Sequence, residues 1–242
     1  MRLSILISAL ESRPWNHIYG KLLQQATNKV EVLVDVDNGQ DSSGTKRQRL
    51  LERAQGEYIV YVDDDDDVSE YYTASILKAL ERGPDVLGIN LLFFRNGVRR
   101  ELWKFGAYKN NRPRGKMCVN HLCPWRREIA RKVAWCPLLG NMDDHLWFQP
   151  LYHSPLPLKI DRLDEAIYRY MYDDSVTVNQ NNERRIFAKQ YFSKGIRCFW
   201  SNGNIYVEEP STNTTTVLVR DCNNNLLELN PRHFKHYHIV KG

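Results

Sequence analysis

The most informative stretch of the sequence is Gly56-Glu57-Tyr58-Ile59-Val60-Tyr61-Val62-Asp63-Asp64-Asp65-Asp66-Asp67, in which an apolar run ends in five consecutive aspartates. The apolar part is short and rich in β-branched and aromatic residues, which predicts a buried strand. Adjacent carboxylates repel one another unless a cation or hydrogen-bond donors offset the repulsion. Two interpretations are open: a solvated acidic turn before a helix, or a site for a hard divalent cation that shares its coordination with phosphates.

The residues around this stretch alternate between strand-like and helix-like patterns. Strands are predicted at 3–10, 30–36, 59–62 and 86–94, and helices at 15–26, 46–54 and 69–82. This order predicts an α/β fold with a mainly parallel sheet flanked by helices. Ligands of such sheets bind beyond the carboxyl ends of the strands. Polar clusters follow the first three strands, at 11–13, 35–38 and 63–67, so we expect them to share one cleft. This favours the cation interpretation.

Composition limits the class of protein. The chain has 242 residues, of which 42% are hydrophobic and 26% charged, as in soluble globular proteins. We find no apolar stretch long enough to span a bilayer and no signal peptide, and therefore expect a cytoplasmic protein. The formal charge of +5 permits an anionic partner but does not require nucleic acid. Cys118, His121 and Cys123 are close in sequence, but their spacing fits no standard zinc site.

The second half of the chain is less regular. Residues 95–116 contain eight arginines or lysines among aromatic residues, and Asn96-Gly97 predicts a β-hairpin. The basic segment could serve solubility, or it could contact an anionic acceptor or a nucleotide diphosphate. Residues 189–207 and 214–229 alternate like strands between asparagine-rich turns. We therefore predict a main domain at 1–174 and a small β-rich C-terminal extension at 175–242.

Six motifs occur in order within residues 1–172: Ser4-Ile5-Leu6-Ile7 followed by Arg13, Val34-Asp35-Val36-Asp37-Asn38, Gly44-Thr45-Lys46-Arg47-Gln48, Asp63-Asp64-Asp65, His121-Leu122-Cys123-Pro124 with Arg126-Arg127, and Met142-Asp143-Asp144-His145. With these motifs the chain resembles the family 2 type glycosyltransferases of the GT-A fold, and most closely the short phage- and virus-encoded members. Two departures stand out. Five aspartates leave the register of the family's D-x-D motif ambiguous, and Asp143-Asp144 stands where the family carries Glu-Asp.

The resemblance implies an inverting transfer from a nucleotide sugar, a UDP-sugar, to an acceptor hydroxyl, dependent on manganese or magnesium (Mn²⁺ or Mg²⁺). It also implies roles for individual residues. The metal ligands would be Asp65, with Asp63 and His145 as further candidates. The nucleotide sugar would be bound by Arg13, Asp37, Lys46, Arg47, Asp63 and Asp64. The general base would be Asp144, with Asp143 as the alternative. By the same comparison, Asp67 is expected at the solvated end of the turn.

The acceptor is left open. It could be a glycan, a lipid-linked sugar or a protein side chain. It could instead be a hydroxymethylated pyrimidine in phage DNA, in which case the enzyme would work in the host cytoplasm. The basic aromatic segment at 95–116 favours DNA somewhat. A further alternative, left open by Asp143-Asp144, is a catalytically inactive module that binds nucleotide sugars or glycans. A nucleotidyltransferase is disfavoured because no glycine-rich phosphate loop follows the first strand.

Overall fold

The computed structural model describes residues 1–107, 115–135, 144, 147–148, 151 and 157–173, and the backbone of four strands between residues 198 and 229. These residues form two compact units, one up to residue 173 and one that contains the four later strands. The domain boundary predicted at 174/175 lies outside the described residues. Within them, no helix is both long enough and apolar enough to cross a membrane.

In the first unit the structure describes nine strands and four helices from end to end, and residues 144, 147–148 and 151 are also helical. Its strands are β1 (Leu3–Leu10), β2 (Val30–Asp37), β3 (Tyr58–Asp63), β4 (Asp67–Val68), β5 (Val86–Arg95), β6 (Val98–Gly106), β7 (Lys116–Cys118), β8 (Trp125–Arg126) and β9 (Ile160–Tyr172). Its helices are α1 (Trp15–Gln24), α2 (Ser43–Arg53), α3 (Tyr72–Leu80) and α4 (Arg127–Ala130). In the second unit the described residues form an antiparallel sheet of β10 (Cys198–Ser201), β11 (Asn204–Glu208), β12 (Val217–Arg220) and β13 (Leu226–Leu229), as the alternating pattern predicted.

The main sheet has the strand order β2-β1-β3-β8-β5-β6-β7, and β9 pairs with both β5 and β4. Strands β2 and β3 run parallel to β1, and β9 runs parallel to β5, while β8 is antiparallel to its neighbours. In register, Leu10 lies opposite Asp37, and Ser8 lies opposite Asp63. The carboxyl ends of the first three strands therefore meet at one edge of the sheet, as the order of elements predicted.

Local sequence explains where the elements begin and turn. Helix α2 begins at Ser43, three residues before the predicted start, because the Ser42 side chain caps it by accepting a hydrogen bond from the Thr45 amide. Asn96 and Gly97 form the predicted hairpin turn between β5 and β6, both with positive φ (50° and 73°). Strands β1 and β3 lie at the centre of the core, where nearly all of their apolar side chains are buried, and helices α1, α2 and α3 pack against the sheet. These buried strands hold the polar strand ends in place.

Candidate functional site

The five aspartates at the end of β3 differ in exposure. Asp64 and Asp66 are buried, with 5% and 6% of their surface exposed. Asp63 and Asp65 are more open, with 23% and 25% of their side chains exposed. The run therefore alternates between positions that hold the turn together and positions that a ligand can reach.

Arg13 links two of the aspartates. Its Nη1 lies 2.6 Å from Oδ1 of Asp64 and 3.1 Å from Oδ2 of Asp65. Asp64 also accepts a hydrogen bond of 2.8 Å from the amide of Leu10, so both of its oxygens are occupied. Burial raises the pKa of Asp65, the charge of Asp63 raises it further, and Arg13 offsets only part of this, so that the pKa is about 6. A cation beside Asp65 would relieve this unfavourable charge.

Strand β9 fixes Asp66 from the other side of the turn. Oδ2 of Asp66 accepts a hydrogen bond of 2.7 Å from the hydroxyl of Tyr168, and Oδ1 accepts one of 2.7 Å from the amide of Met171. The same Tyr168 oxygen accepts a hydrogen bond of 3.2 Å from the Asp63 amide. Burial raises the pKa of Asp66 well above its ordinary value, and Asp63 and Asp65 raise it further. Asp66 thus ties the acidic turn to β9.

Asp67 begins β4 and forms two ion pairs. Its Oδ1 lies 3.0 Å from Nζ of Lys21, and its Oδ2 pairs with Arg169 of β9. Burial opposes its ionisation, but hydrogen bonds from these two cations lower the pKa of Asp67 overall. Only 20% of the side chain is exposed. The expectation that Asp67 is the solvated end of the turn is wrong, because a basic residue approaches it from each side.

Asp63 faces two basic side chains. Its Oδ1 lies 2.8 Å from Nη2 of Arg47, and its Oδ2 lies 3.4 Å from Nε2 of His121. The Arg47 guanidinium lies over the Trp135 ring, 5.0 Å from its centroid, which holds the cation in place. Burial alone would raise the pKa of Asp63, but His121 and Arg47 lower it well below its ordinary value. Asp63 is therefore firmly ionised.

His121 also reaches Asp144, the predicted general base. Nδ1 of His121 lies 3.3 Å from Oδ2 of Asp144, so the imidazole bridges Asp144 and Asp63. Burial and Arg47 both lower the pKa of His121, but the two carboxylates outweigh them and raise it to about 9. The sequence indicated His121 only as part of a motif and as an unsuitable zinc ligand. Its position between two predicted site residues is what sequence reasoning missed.

Asp37 and Lys46, both predicted to bind the donor, form an ion pair at the ends of β1 and β2. Nζ of Lys46 lies 2.5 Å from Oδ1 of Asp37 and donates a hydrogen bond of 2.7 Å to the carbonyl of Ala9. Asp37 also accepts a hydrogen bond of 2.7 Å from the Asp41 amide. Burial raises the pKa of Asp37, but these hydrogen bonds lower it overall. Because Lys46 and Asp37 form an ion pair, their charges offset each other. Lys46 would have to leave Asp37 in order to contact a phosphate.

Two predicted site residues, Asp143 and His145, lie outside the described residues, as does the stretch 108–114 of the basic segment. Within the described part of the chain, no group of three or more His, Cys, Asp or Glu side chains is arranged to hold a metal ion.

No protein-family model and no curated protein sequence matches the chain. Among solved structures, it is similar to Staphylococcus aureus TarS 1–349, with a TM-score of 0.56 and 19% identity, covering 71% of this chain and 60% of that one. The complex of TarS 1–349 with UDP-GlcNAc gives a TM-score of 0.55 and 17% identity, covering 71% and 58%. The complex with UDP gives 0.53 and 17%, covering 71% and 60%.

The chain thus spans less than two thirds of the length of the TarS fragment that it matches. At such low identity the likeness concerns the fold. It confirms the predicted fold class, a mixed α/β structure of the GT-A type with helices flanking a central sheet.

Proposed function

We propose that this chain is a glycosyltransferase that moves a sugar from a nucleotide sugar, a UDP-sugar, to an acceptor hydroxyl with inversion at the anomeric carbon. The observation that carries the proposal is the junction of Asp63, His121 and Asp144. It joins the acidic turn to the predicted base at the sheet edge where ligands of this fold bind. The TarS complexes with UDP-GlcNAc and UDP support a nucleotide-sugar donor.

The donor end of the proposed site contains Asp63, Asp65, Arg13 and Arg47. Asp65 suits Mn²⁺ or Mg²⁺ because its carboxylate is partly open and its ionisation is opposed by burial and by neighbouring carboxylates. A bound ion would stabilise the negative charge of the leaving diphosphate. Because Asp64 is only 5% exposed, the more open Asp63 and Asp65 are the better candidates for the D-x-D register. Arg13 and Arg47 would offset phosphate charge.

The other donor roles combine the resemblance, which gave Lys46 a phosphate contact, with the ion pairs described above. Asp37 would accept a hydrogen bond from the nucleobase, and Lys46 would hold Asp37 in position. Asp64 would act indirectly, by keeping Arg13 beside Asp65. His145 stays a candidate for a further metal ligand.

The acceptor end contains Asp144, whose side chain is 27% exposed. In an inverting transfer, a general base takes the proton of the acceptor hydroxyl as its oxygen attacks the anomeric carbon. Asp144 suits this role because its side chain is partly exposed and because only the His121 ring separates it from Asp63. Asp143 is the alternative base.

A specific observation supports DNA as a second candidate acceptor. Arg95, Arg99 and Arg100 are exposed on the β5–β6 hairpin, close in sequence to the stacked rings of Phe93 and Trp103. Exposed cations beside aromatic rings suit a nucleic-acid backbone and an unstacked base. A hydroxymethylated pyrimidine in phage DNA, modified in the host cytoplasm, is therefore the second candidate beside a glycan or protein hydroxyl.

The test is a UDP-release and sugar-transfer assay with Mn²⁺ or Mg²⁺, several UDP-sugars, and glycan, protein and hydroxymethylated-DNA acceptors. We expect activity in the wild type, loss in Asp65→Asn and Asp144→Asn, and wild-type activity in Glu70→Gln, a control at an exposed acid. UDP binding without release or transfer across the panel would identify an inactive binding module. DNA affinity that does not fall with salt would remove DNA as acceptor.

A further inference from the structure

We propose that His121 is a positioning residue for the general base. It holds the carboxylate of Asp144 at a fixed place relative to Asp63 and therefore relative to the bound donor. This inference rests on the proposed function. It adds that His121, which contacts Asp63 at the donor end of the site, orients the base Asp144. His121 need not touch either substrate to do so.

The geometry of the imidazole supports this role. Nδ1 lies 3.3 Å from Oδ2 of Asp144, and Nε2 lies 3.4 Å from Oδ2 of Asp63. Each ring nitrogen thus lies within ion-pair distance of one carboxylate oxygen, and the contact at Nδ1 is an ion-pair contact rather than a well-aligned hydrogen bond. One rigid ring therefore spans the two carboxylates, and rotation of the ring would break both contacts.

His121 is itself held firmly. It is 6% exposed, and its carbonyl accepts a hydrogen bond of 3.2 Å from the amide of Tyr61, two residues before Asp63 on β3. The edge of its ring meets Trp135, with centroids 6.2 Å apart and planes at 86°. Both the backbone and the ring of His121 are therefore fixed against the strand that leads into the acidic turn.

A base that is held in this way can act efficiently. Proton transfer requires hydrogen-bond reach between the base and the acceptor hydroxyl, and a misplacement of about 1 Å can cost about 10²-fold in rate. Without His121, the Asp144 carboxylate would lose a restraint on its rotation. The expected result is a lower kcat with a much smaller change in donor affinity.

Another role for His121 would be merely to neutralise Asp63. Two conservative substitutions separate the roles, because each retains a donor at one ring position. The amide nitrogen of asparagine can replace Nδ1, which faces Asp144, and that of glutamine can replace Nε2, which faces Asp63. If His121 acts through Asp144, the enzyme should tolerate His121→Asn, which keeps the nitrogen that faces Asp144, better than His121→Gln.

The experiment measures kcat and the KM of the donor for the full chain, for His121→Asn and His121→Gln, and for each combined with Asp144→Asn. We expect His121→Asn to retain kcat within about threefold and His121→Gln to lose about 10- to 100-fold, with donor KM changed less than kcat. In the Asp144→Asn background, neither substitution should slow the enzyme further, because residues that act as a unit are not additive.

The reverse ranking, or additive losses in the double variants, would overturn the inference while leaving the proposed function intact. An inactive wild type would overturn both. A second measurement covers the case in which a His121 variant does not fold. The ¹⁵N resonance of the His121 Nδ1 is expected to shift in Asp144→Asn and to stay unchanged in Glu70→Gln, and an unchanged resonance in Asp144→Asn would also overturn the inference.

Discussion

The hydroxyl of Tyr168 donates a hydrogen bond of 2.7 Å to the carboxylate of Asp66, and so joins strand β9 to the acidic turn that follows β3. The Tyr168 side chain is completely buried. Since its oxygen also accepts from the Asp63 amide, one phenol satisfies a backbone donor and a buried carboxylate at once. The shape of the turn therefore depends on a residue that lies far away in sequence.

Tyr168→Phe is expected to destabilise the protein by about 1–3 kcal/mol, because it leaves buried polar groups without a partner. Urea unfolding monitored by tryptophan fluorescence measures the change. Tyr71→Phe is the matched control, since Tyr71 is 53% exposed, and its effect should stay within about 0.5 kcal/mol. Equal effects of the two substitutions would contradict the role given to Tyr168.

Asp65→Asn is expected to stabilise the metal-free protein by about 1–2 kcal/mol at pH 7.5. The pKa of Asp65 is raised from 3.8 to about 6, so the folded state binds its proton more tightly than the unfolded state does. Ionisation of Asp65 therefore lowers the free energy of unfolding as the pH rises from 3.8 to about 6. Asp65→Asn removes this charge and so avoids the loss.

Chemical denaturation in EDTA measures this effect, and the advantage of Asp65→Asn should disappear below about pH 4. Addition of Mn²⁺ together with UDP should stabilise the wild type more than the variant, because a ligand that binds the folded state raises its stability. A variant that is less stable than the wild type at pH 7.5 would show that Asp65 is not under electrostatic strain.

His121 also makes the stability fall as the pH rises, but over a higher pH range. Its pKa is raised from 6.5 to about 9, so its contribution to stability is fully present below pH 6.5 and is lost as the pH rises through 9. We expect the wild type to lose about 2–3 kcal/mol between pH 6.5 and 9.5 through this group, and His121→Gln to lose correspondingly less. His17→Gln, at an exposed histidine, should keep the wild-type slope. Identical slopes for all three proteins would refute the assignment.

Gly56 and Gly20 allow a test of how closely the backbone packs, because one is crowded and the other is not. A Cβ on Gly56 would lie 2.6 Å from the amide nitrogen of Ser4, whereas a Cβ on Gly20, inside α1, would meet nothing within 4 Å. Gly56→Ala should therefore destabilise the protein by about 1–3 kcal/mol, and Gly20→Ala should stabilise it by about 0.5–1 kcal/mol. Thermal unfolding distinguishes the two, and a stabilising Gly56→Ala would mean that the segment before β3 packs less closely on β1 than the Ser4 contact indicates.

Much of the fold could be predicted because its signals are local. The apolar runs of β1 and β3 and the Asn96-Gly97 turn each determine their structure from neighbouring residues. The start of β9 at Ile160 has no such local signal, because most of its first residues are polar and the strand is positioned by pairing with β5. Local pattern thus located the sheet better than it located the ends of its strands.

The site was predictable only in part. The acidic turn and the predicted base are visible as charged clusters, but their connections are not. His121 contacts Asp63 across 58 positions, and Tyr168 contacts Asp66 across 102. No periodicity or spacing encodes such pairings, since they arise from the order of strands in the sheet. For the same reason, the division of the aspartates into buried and open members needed the structure.

The contacts between β9 and the acidic turn affect how the chain folds while it is being translated. The partners of Asp66 and Asp67 on β9, at positions 168, 169 and 171, emerge from the ribosome more than 100 residues after the aspartates themselves. Until then, closely spaced carboxylates remain in a nascent chain without their neutralising partners, so the turn cannot take its final shape during translation of the first three strands. Completion of the acidic turn is therefore a late event in folding, delayed by a loop closure of high contact order.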